Sequence, residues 1–153
     1  MHLPASPISF DRNAIDCPCL PLPLVSARDR AAHALNALYE ADCVVNTAGE
    51  PEIFLTPSAS DKGQKIARCP TCRVAVWSNY PQAGHAVRFV RVGTMDNPDL
   101  CPPDIHIFTS SKQPWVTLAP NAKAVPKFYD FDTVWPVESR ERLRAMRAKA
   151  KQS

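Results

Sequence analysis

The stretch GQKIARCPTCRVAVWSNY, residues 63–80, decides the fold because it places a two-cysteine turn between two apolar, strand-like segments. Cys69 and Cys72 have the C-x2-C spacing, which lets two thiolates reach one Zn²⁺ while backbone N–H groups hydrogen-bond to the sulfurs. Such a turn commonly supplies half of a tetrahedral structural site. The alternative interpretation is a redox dithiol or a pair of unliganded thiols.

A half-site requires a second pair of ligands, and the C-x-C formed by Cys17 and Cys19 is the candidate. Together with Cys69 and Cys72 these thiolates would form an all-sulfur tetrahedral site that joins the N-terminal segment to the strands. Cys43 falls in a predicted strand and Cys101 in a Pro-flanked loop. We interpret each as an ordinary small residue rather than a metal ligand.

The distribution of proline indicates a β-dominated fold. The chain has 16 prolines and only 4 glycines, and proline interrupts both helices and sheet ladders. The segments between prolines are short and rich in β-branched and aromatic residues, which favours strands; they are NALYEADCVV, EIFLT, GQKIARC, VAVWSNY, AVRFVRVGTM and IHIFTS. In IHIFTS the alternation predicts that Ile105 and Ile107 face one way and that His106 and Phe108 face the other.

Length and composition indicate a single water-soluble domain. The chain has 153 residues, 45% hydrophobic and 22% charged, which is enough for one core and typical of a globular protein. No apolar run approaches the length of a bilayer span, and MHLPASPISFDR lacks the features of a secretory signal. We therefore expect no membrane contact and a cytoplasmic, reducing location, where six cysteines indicate thiols or zinc before disulfides.

The C-terminal segment, residues 137–153, is predicted to be a basic helix or tail. Its Ala, Arg, Leu and Met content favours helix, and Glu138 near its start suits the helix dipole. No aromatic side chain is interleaved with the positive charges, so a solvated helix end is favoured over a nucleic-acid interface.

The remaining polar residues carry no recognisable catalytic motif. The sequence contains no nucleophile elbow, phosphate loop or dinucleotide fingerprint. His106 lies in a predicted strand, where a lone histidine is more often a hydrogen-bonded structural residue than a ligand or general base. By spacing alone, the chain is a small β domain stabilised by zinc.

Four blocks of the sequence, in order, resemble the glutathione-dependent formaldehyde-activating enzyme and centromere protein V family. They are ALNALYEAD, GQKIARCPTCRVAVWSNY, VRFVRVGTMDNP and PDIHIFTSSKQPW, and the resemblance covers about three-quarters of the chain, from about Ala34 onward. It implies a mainly β, Mss4-like fold held by a structural zinc, with a short C-terminal helix. It also implies a second, catalytic zinc and carbon–sulfur lyase activity on glutathione or other thiol adducts.

Carried onto this chain, the resemblance assigns Cys69 and Cys72 to one half of the structural zinc site. The other half in the family is a C-x-C-G, of which this chain has only the CPCL around Cys17 and Cys19. A further family cluster, C-H-C-x-x-C-Q-x-x-[ST]-G, holds the catalytic zinc shortly before the ALNAL block. This chain has LPLPLVSARDR there, and no cysteine lies between Cys19 and Cys43.

Reading the N-terminal segment in a shifted frame restores the missing cluster. One permitted choice of codons for residues 20–30, read one base later, spells CHCRWCQRETG. We therefore divide the chain into an atypical segment, 1–33, which we hypothesise to be out of frame or a mispredicted exon, a family-type domain, 34–136, and the basic tail. The competing interpretation is a natural proline-rich lead-in that binds no metal.

Three functional hypotheses follow from these observations. The first is a zinc-dependent carbon–sulfur lyase whose catalytic cluster is missing from this chain as written, so that a second zinc binds only if the motif is restored. The alternatives are a non-catalytic zinc-stabilised binding module and an inactive pseudogene product. The expected partner is a small thiol or glutathione adduct rather than nucleic acid or membrane. The sequence assigns neither an oligomeric state nor a role for His106.

Overall fold

A computed structural model describes residues 8–10, 18–20, 32–47, 49–58 and 61–150, with the backbone alone for the first two ranges and for 149–150. Most of the N-terminal segment, 1–33, therefore lies outside the described residues. The described chain is mainly β with a helix at its C-terminus. The predicted fold class is thereby confirmed.

Nine strands and two α-helices are described. The strands are β1 (Ile8–Phe10), β2 (Pro18–Leu20), β3 (Ala34–Glu40), β4 (Val44–Asn46), β5 (Glu52–Thr56), β6 (Gln64–Arg68), β7 (Ala75–Asn79), β8 (Val87–Arg91) and β9 (Ile105–His106). The helices are α1 (Phe131–Val134) and α2 (Val137–Ala150). Short 3-10 turns occupy Ala41–Cys43, Val92–Thr94, Pro98–Leu100 and Thr109–Ser111.

The main sheet consists of five antiparallel strands in the order β5-β6-β7-β8-β3. Beyond β3 it continues into β2, which is antiparallel to β3, and then into β9, which is parallel to β2. A separate pair joins β1 to β4. Because consecutive strands β5 to β8 are neighbours, this part of the sheet forms a simple meander around the two-cysteine turn.

Both faces of the main sheet carry apolar side chains, because the central strands are covered on each side. One face is built around Ala37, Tyr39, Ala67, Trp77 and Val90. The other includes Leu38, Val87, Phe89, Ile105, Ile107, Tyr129, Trp135 and Leu143. β3 accordingly lacks the apolar–polar alternation of a strand with one wet face, since six of its seven residues are apolar or buried.

The C-terminal segment covers the second face and ends in α2. The Asp130 side chain caps α1 by accepting the N–H of Asp132 at 3.0 Å. Trp135 is buried and donates its indole N–H to the Tyr129 hydroxyl at 2.9 Å, while Leu143 of α2 packs in the same cluster. No helix of the described chain is long and apolar enough to cross a bilayer.

Two local features differ from the sequence-based expectations. The strand predicted in IHIFTS ends at His106, because Phe108 adopts a left-handed conformation with φ 55°. Ile105 and Ile107 are both buried as expected, but Phe108 packs against the same cluster as they do. Cys43, expected in a strand, ends a 3-10 turn between β3 and β4.

Candidate metal centre

Cys69 and Cys72 lie in the tight turn that connects β6 to β7. The Cys69 N–H donates to the Val74 carbonyl at 2.9 Å, and the Arg73 N–H donates to the Cys69 carbonyl at 2.9 Å. Arg73 closes the turn in a left-handed conformation, φ 63°, which is uncommon for a residue with a Cβ. These backbone bonds fold the chain back so that both cysteines belong to one short loop.

The turn favours the thiolate form of Cys69. The backbone N–H groups of Cys72 and then Thr71 donate to its sulfur, and these hydrogen bonds hold the pKa of the Cys69 thiol below its ordinary value. Thiolate is the form that binds Zn²⁺, and backbone N–H groups directed at a ligating sulfur are typical of its outer shell. The donor set of this turn therefore fits one half of a zinc site.

Charged side chains on either flank attach the turn to the sheet edge. Arg68 donates to the Arg73 carbonyl at 2.9 Å, and the Arg73 guanidinium donates to the Glu52 carboxylate. Glu52 is also the residue of β5 that lies opposite Arg68. The sequence pattern alone gives no role to Glu52, Arg68 or Arg73, although the two arginines directly flank the cysteines in RCPTCR.

The proposed second half of the site is not described at the level of side chains. Cys17 lies outside the described residues, and for Cys19 only the backbone in β2 is described, where it pairs with Leu35 and His106. β7, β8 and β3 separate β2 from β6 in the sheet order. The assignment of Cys17 and Cys19 as partners of Cys69 and Cys72 therefore stays a prediction.

A second group of ligand-type atoms surrounds the end of β3. One ligand atom from each of Glu40, Asp42 and Cys43 lies within 4.8 Å of the others, and this is the one such group of three among the described residues. The 3-10 turn creates the group by bringing positions 40, 42 and 43 together. Glu40 is already ion-paired with Arg142, whose Nε lies 3.1 Å from its Oε1, so its charge is balanced within the protein.

His106 is half-buried in β9. In the sheet order, β9 lies at the opposite end from β6, the strand that precedes Cys69. Its backbone N–H donates to the Lys123 carbonyl and its carbonyl accepts from Val125, each at 2.8 Å. Burial, with a smaller contribution from His33, lowers the pKa of its imidazole. The backbone of His106 is hydrogen-bonded on both sides, and the lowered pKa favours the neutral form of its imidazole. Both observations fit the interpretation of His106 as a structural residue.

The basic face of α2 makes contacts within the protein. Arg140 pairs with Asp132 at 3.0 Å, Arg142 with Glu40, and Arg147 donates to the Gln82 carbonyl at 3.3 Å. Arg142 and Arg147 thus hold α2 on the sheet domain, and Arg140 joins it to α1.

Comparison with known families finds a family whose sequence model matches much of the chain. The glutathione-dependent formaldehyde-activating enzyme family matches residues 15–111, which is more than half of the chain. A comparison with curated proteins found no match. The matched range includes β2 to β9 and the whole two-cysteine turn.

Proposed function

Because the chain belongs to the glutathione-dependent formaldehyde-activating enzyme family, we propose that it is a zinc-binding protein of that type with carbon–sulfur lyase ancestry and impaired catalysis. Cys69 and Cys72 would hold a structural zinc ion. The observation that supports this most directly is the pair of backbone N–H groups that favour the Cys69 thiolate.

A structural zinc would act on the fold rather than on a substrate. It would join the β6–β7 turn to the segment that carries the other ligands, with Cys17 and Cys19 as the candidates. Arg68 and Glu52 already order the turn from its two sides. The role of these chain residues is to position the thiolates before the metal binds, so that less conformational entropy is lost on binding.

A catalytic zinc does not fit this chain. When bound, such a zinc supplies an open position at which a substrate thiol is held as thiolate. Residues 20–30, LPLPLVSARDR, contain no cysteine or histidine. We derive no catalytic step from the chain as written and propose that it turns over thiol–aldehyde adducts, such as S-hydroxymethylglutathione, slowly if at all.

Zinc content tests the structural part of the proposal. The purified chain should bind one Zn²⁺, measured by elemental analysis and by titration with a zinc chelator. Cys69→Ser and Cys72→Ser should lose it, while Cys101→Ser and Cys43→Ser should keep it. Zinc bound equally by Cys69→Ser would contradict the assignment, and loss in Cys43→Ser alone would move the site to the Glu40 group.

Sequencing of genomic DNA and transcript across codons 15 to 35 tests the out-of-frame hypothesis. A C-x-C-x-x-C in the shifted frame is expected. A chain rebuilt with CHCRWCQRETG at residues 20–30 should hold two zinc ions and gain lyase activity over the chain as written. Bases that encode no such cluster would exclude this hypothesis.

The absence of the catalytic cluster also favours a second candidate, a non-catalytic zinc-stabilised binding module. That candidate shares the structural zinc but predicts that the rebuilt chain gains zinc without gaining lyase activity. An inactive pseudogene product, by contrast, predicts a transcript that is absent or does not accumulate as protein. Activity of the rebuilt chain and abundance of the natural protein therefore separate the three.

A further inference from the structure

The edge strand β5 exposes an apolar surface. β5 is the first strand in the sheet order and pairs with β6 alone among the described strands. Its three central side chains, Ile53, Phe54 and Leu55, are 54%, 41% and 75% exposed. Edge strands of soluble proteins usually carry charged or otherwise protected positions, because an open apolar edge promotes pairing with another strand.

The exposed side chains lie on both faces of the sheet. Ile53 is opposite Ala67 and therefore shares its face, whereas Phe54 is opposite Ile66 and shares the other. A partner packed against one face of the sheet would leave the apolar side chains of β5 on the other face exposed. A strand added along the edge contributes neighbours on both faces at once, so strand addition is the arrangement that matches the exposed residues.

We propose that a second copy of the chain pairs its own β5 with this edge in antiparallel orientation, about a two-fold axis at Phe54. In that register Ile53 of one copy lies opposite Leu55 of the other, and the two Phe54 side chains face each other. The row Ile66, Phe54, Phe54, Ile66 then runs across the axis without a polar residue.

The charges of the strand favour this orientation over a parallel one. The antiparallel register places Glu52 opposite Thr56 of the other copy, while a parallel in-register pair would oppose the two Glu52 carboxylates. Glu52 keeps its contact with Arg73 on its own chain. The strand is thus self-complementary in the antiparallel sense, as an isologous interface requires.

Two of the chain's own N-terminal segments, residues 1–7 and 21–31, fit this edge less well. Residues 1–7 include Pro4 and Pro7, which cannot donate to a ladder. Residues 21–31 connect β2 to the residues before β3, and four strands separate β2 from β5, about 24 Å along a flat sheet. A second copy carries no such restriction.

Oligomeric state measured over a concentration series tests the pairing on the full chain. Sedimentation velocity should show a monomer–dimer equilibrium. Leu55→Lys should raise the dimer dissociation constant at least about tenfold, since the lysine of each copy would lie opposite Ile53 of the other copy. Leu100→Lys is the matched control, because Leu100 is 76% exposed but lies outside the sheet; it should dimerise like the unaltered chain.

Two outcomes of that experiment would overturn the proposal. A chain that stays monomeric up to about 0.1 mM has no such interface of useful affinity, and equal weakening by both lysine variants would place the contact elsewhere. Circular dichroism melting of each variant separates loss of pairing from loss of folding, since both sites are exposed and neither substitution should unfold the domain.

Cross-linking tests the register. In the Phe54→Cys variant, the new cysteines of the two copies should form a disulfide across the two-fold axis. Opposed Cα atoms of an antiparallel pair lie about 4.5–5.5 Å apart, which is within disulfide range. Val137→Cys, 54% exposed at the start of α2, is the control for random oxidation. Equal cross-linking of both variants would contradict the register.

Hydrogen exchange identifies the competing occupant. Protection of the β5 amides should rise with protein concentration if a second copy covers the edge. Protection that is strong and independent of concentration in a monomer would show that a segment of the same chain covers it, and the proposal would then be wrong.

Discussion

The guanidinium of Arg73 donates to the carboxylate of Glu52, which ties the two-cysteine turn to the edge strand of the sheet. The two residues are 21 positions apart in the chain, and both side chains are largely exposed. Such a surface pair adds little stability, at most about 1 kcal/mol. The pair instead helps to fix the position of the turn, because the Arg73 carbonyl also accepts a hydrogen bond from the Arg68 guanidinium.

Replacement of Arg73 should separate the backbone conformation from the ion pair. Arg73→Gly and Arg73→Ala both lose the contact with Glu52, but only glycine adopts φ 63° without a Cβ penalty. We expect Arg73→Gly to be more stable than Arg73→Ala by about 1 kcal/mol in urea unfolding. Equal stabilities would show that the left-handed conformation is not strained here.

The pH dependence of Cys69 alkylation should report its lowered pKa. In metal-free protein, iodoacetamide modification of Cys69, followed by peptide mass spectrometry, should rise with pH at a midpoint below that of an ordinary thiol, because backbone N–H groups stabilise the thiolate.

The same hydrogen bonds should add stability as pH rises. Because the folded pKa is lowered, the folded state loses the proton first, so this contribution is lost as pH falls through the folded pKa. For the alkylation measurement, Thr71→Ala is the control, since it keeps the backbone N–H and should shift the midpoint pH of Cys69 alkylation little. A large shift in Thr71→Ala would assign the effect to the hydroxyl instead.

The imidazole of His106 should titrate below pH 6.5, because burial and the charge of His33 both disfavour protonation. As pH falls below 6.5 the unfolded chain takes up this proton first, so His106 should lower the folding stability until the pH reaches its folded pKa. His33→Gln should raise the pKa of His106 by removing the smaller of the two causes. Two-dimensional NMR of the ring protons measures it, and an unchanged titration would exclude the contribution of His33.

Removal of the Leu143 side chain should loosen α2. Leu143 is 7% exposed and packs with Trp135 and Ile107, so Leu143→Ala should cost about 2–4 kcal/mol by denaturant unfolding. Leu100→Ala, at a residue that is 76% exposed, should change stability by less than about 0.5 kcal/mol. Similar costs for the two variants would show that α2 does not depend on this contact.

Loss of the Tyr129 hydroxyl should leave the buried Trp135 N–H without this acceptor. Trp135 is 4% exposed and its indole donates to Tyr129 at 2.9 Å, so Tyr129→Phe should cost about 1–3 kcal/mol. Trp135 fluorescence during unfolding provides the measurement. A variant as stable as the parent would show that another acceptor or water replaces the hydroxyl.

Several local features follow from the residues alone. The apolar segment EIFLT lies between two prolines and forms β5 with the same bounds, Glu52–Thr56. The C-x2-C turn connects two strands as predicted, and the Ala- and Arg-rich segment forms α2 from Val137. In each case the determining interactions are short in sequence: proline breaks regular structure, β-branched residues favour strands, and a turn closes within six residues.

Other features could not be predicted because they join residues that are distant in the chain. The Glu40 contact with Arg142 and the position of β2 between β3 and β9 depend on how strands order in the sheet. The left-handed Phe108 also overrides a regular strand pattern, since its backbone N–H donates to Lys127 instead. Local pattern carries no information about such partners.

By itself, the sequence determined the family, the β class and the two thiols of the turn, because these depend on residue identity and short spacing. Tertiary structure alone decided that β5 is the exposed edge, that Glu52 anchors the turn, and that α2 folds back through Arg142 and Arg147. The physical reason is that the exposure of a side chain and its ion pairs depend on which residues lie next to it in space. The strand order that creates those neighbours is selected by the packing of both sheet faces together.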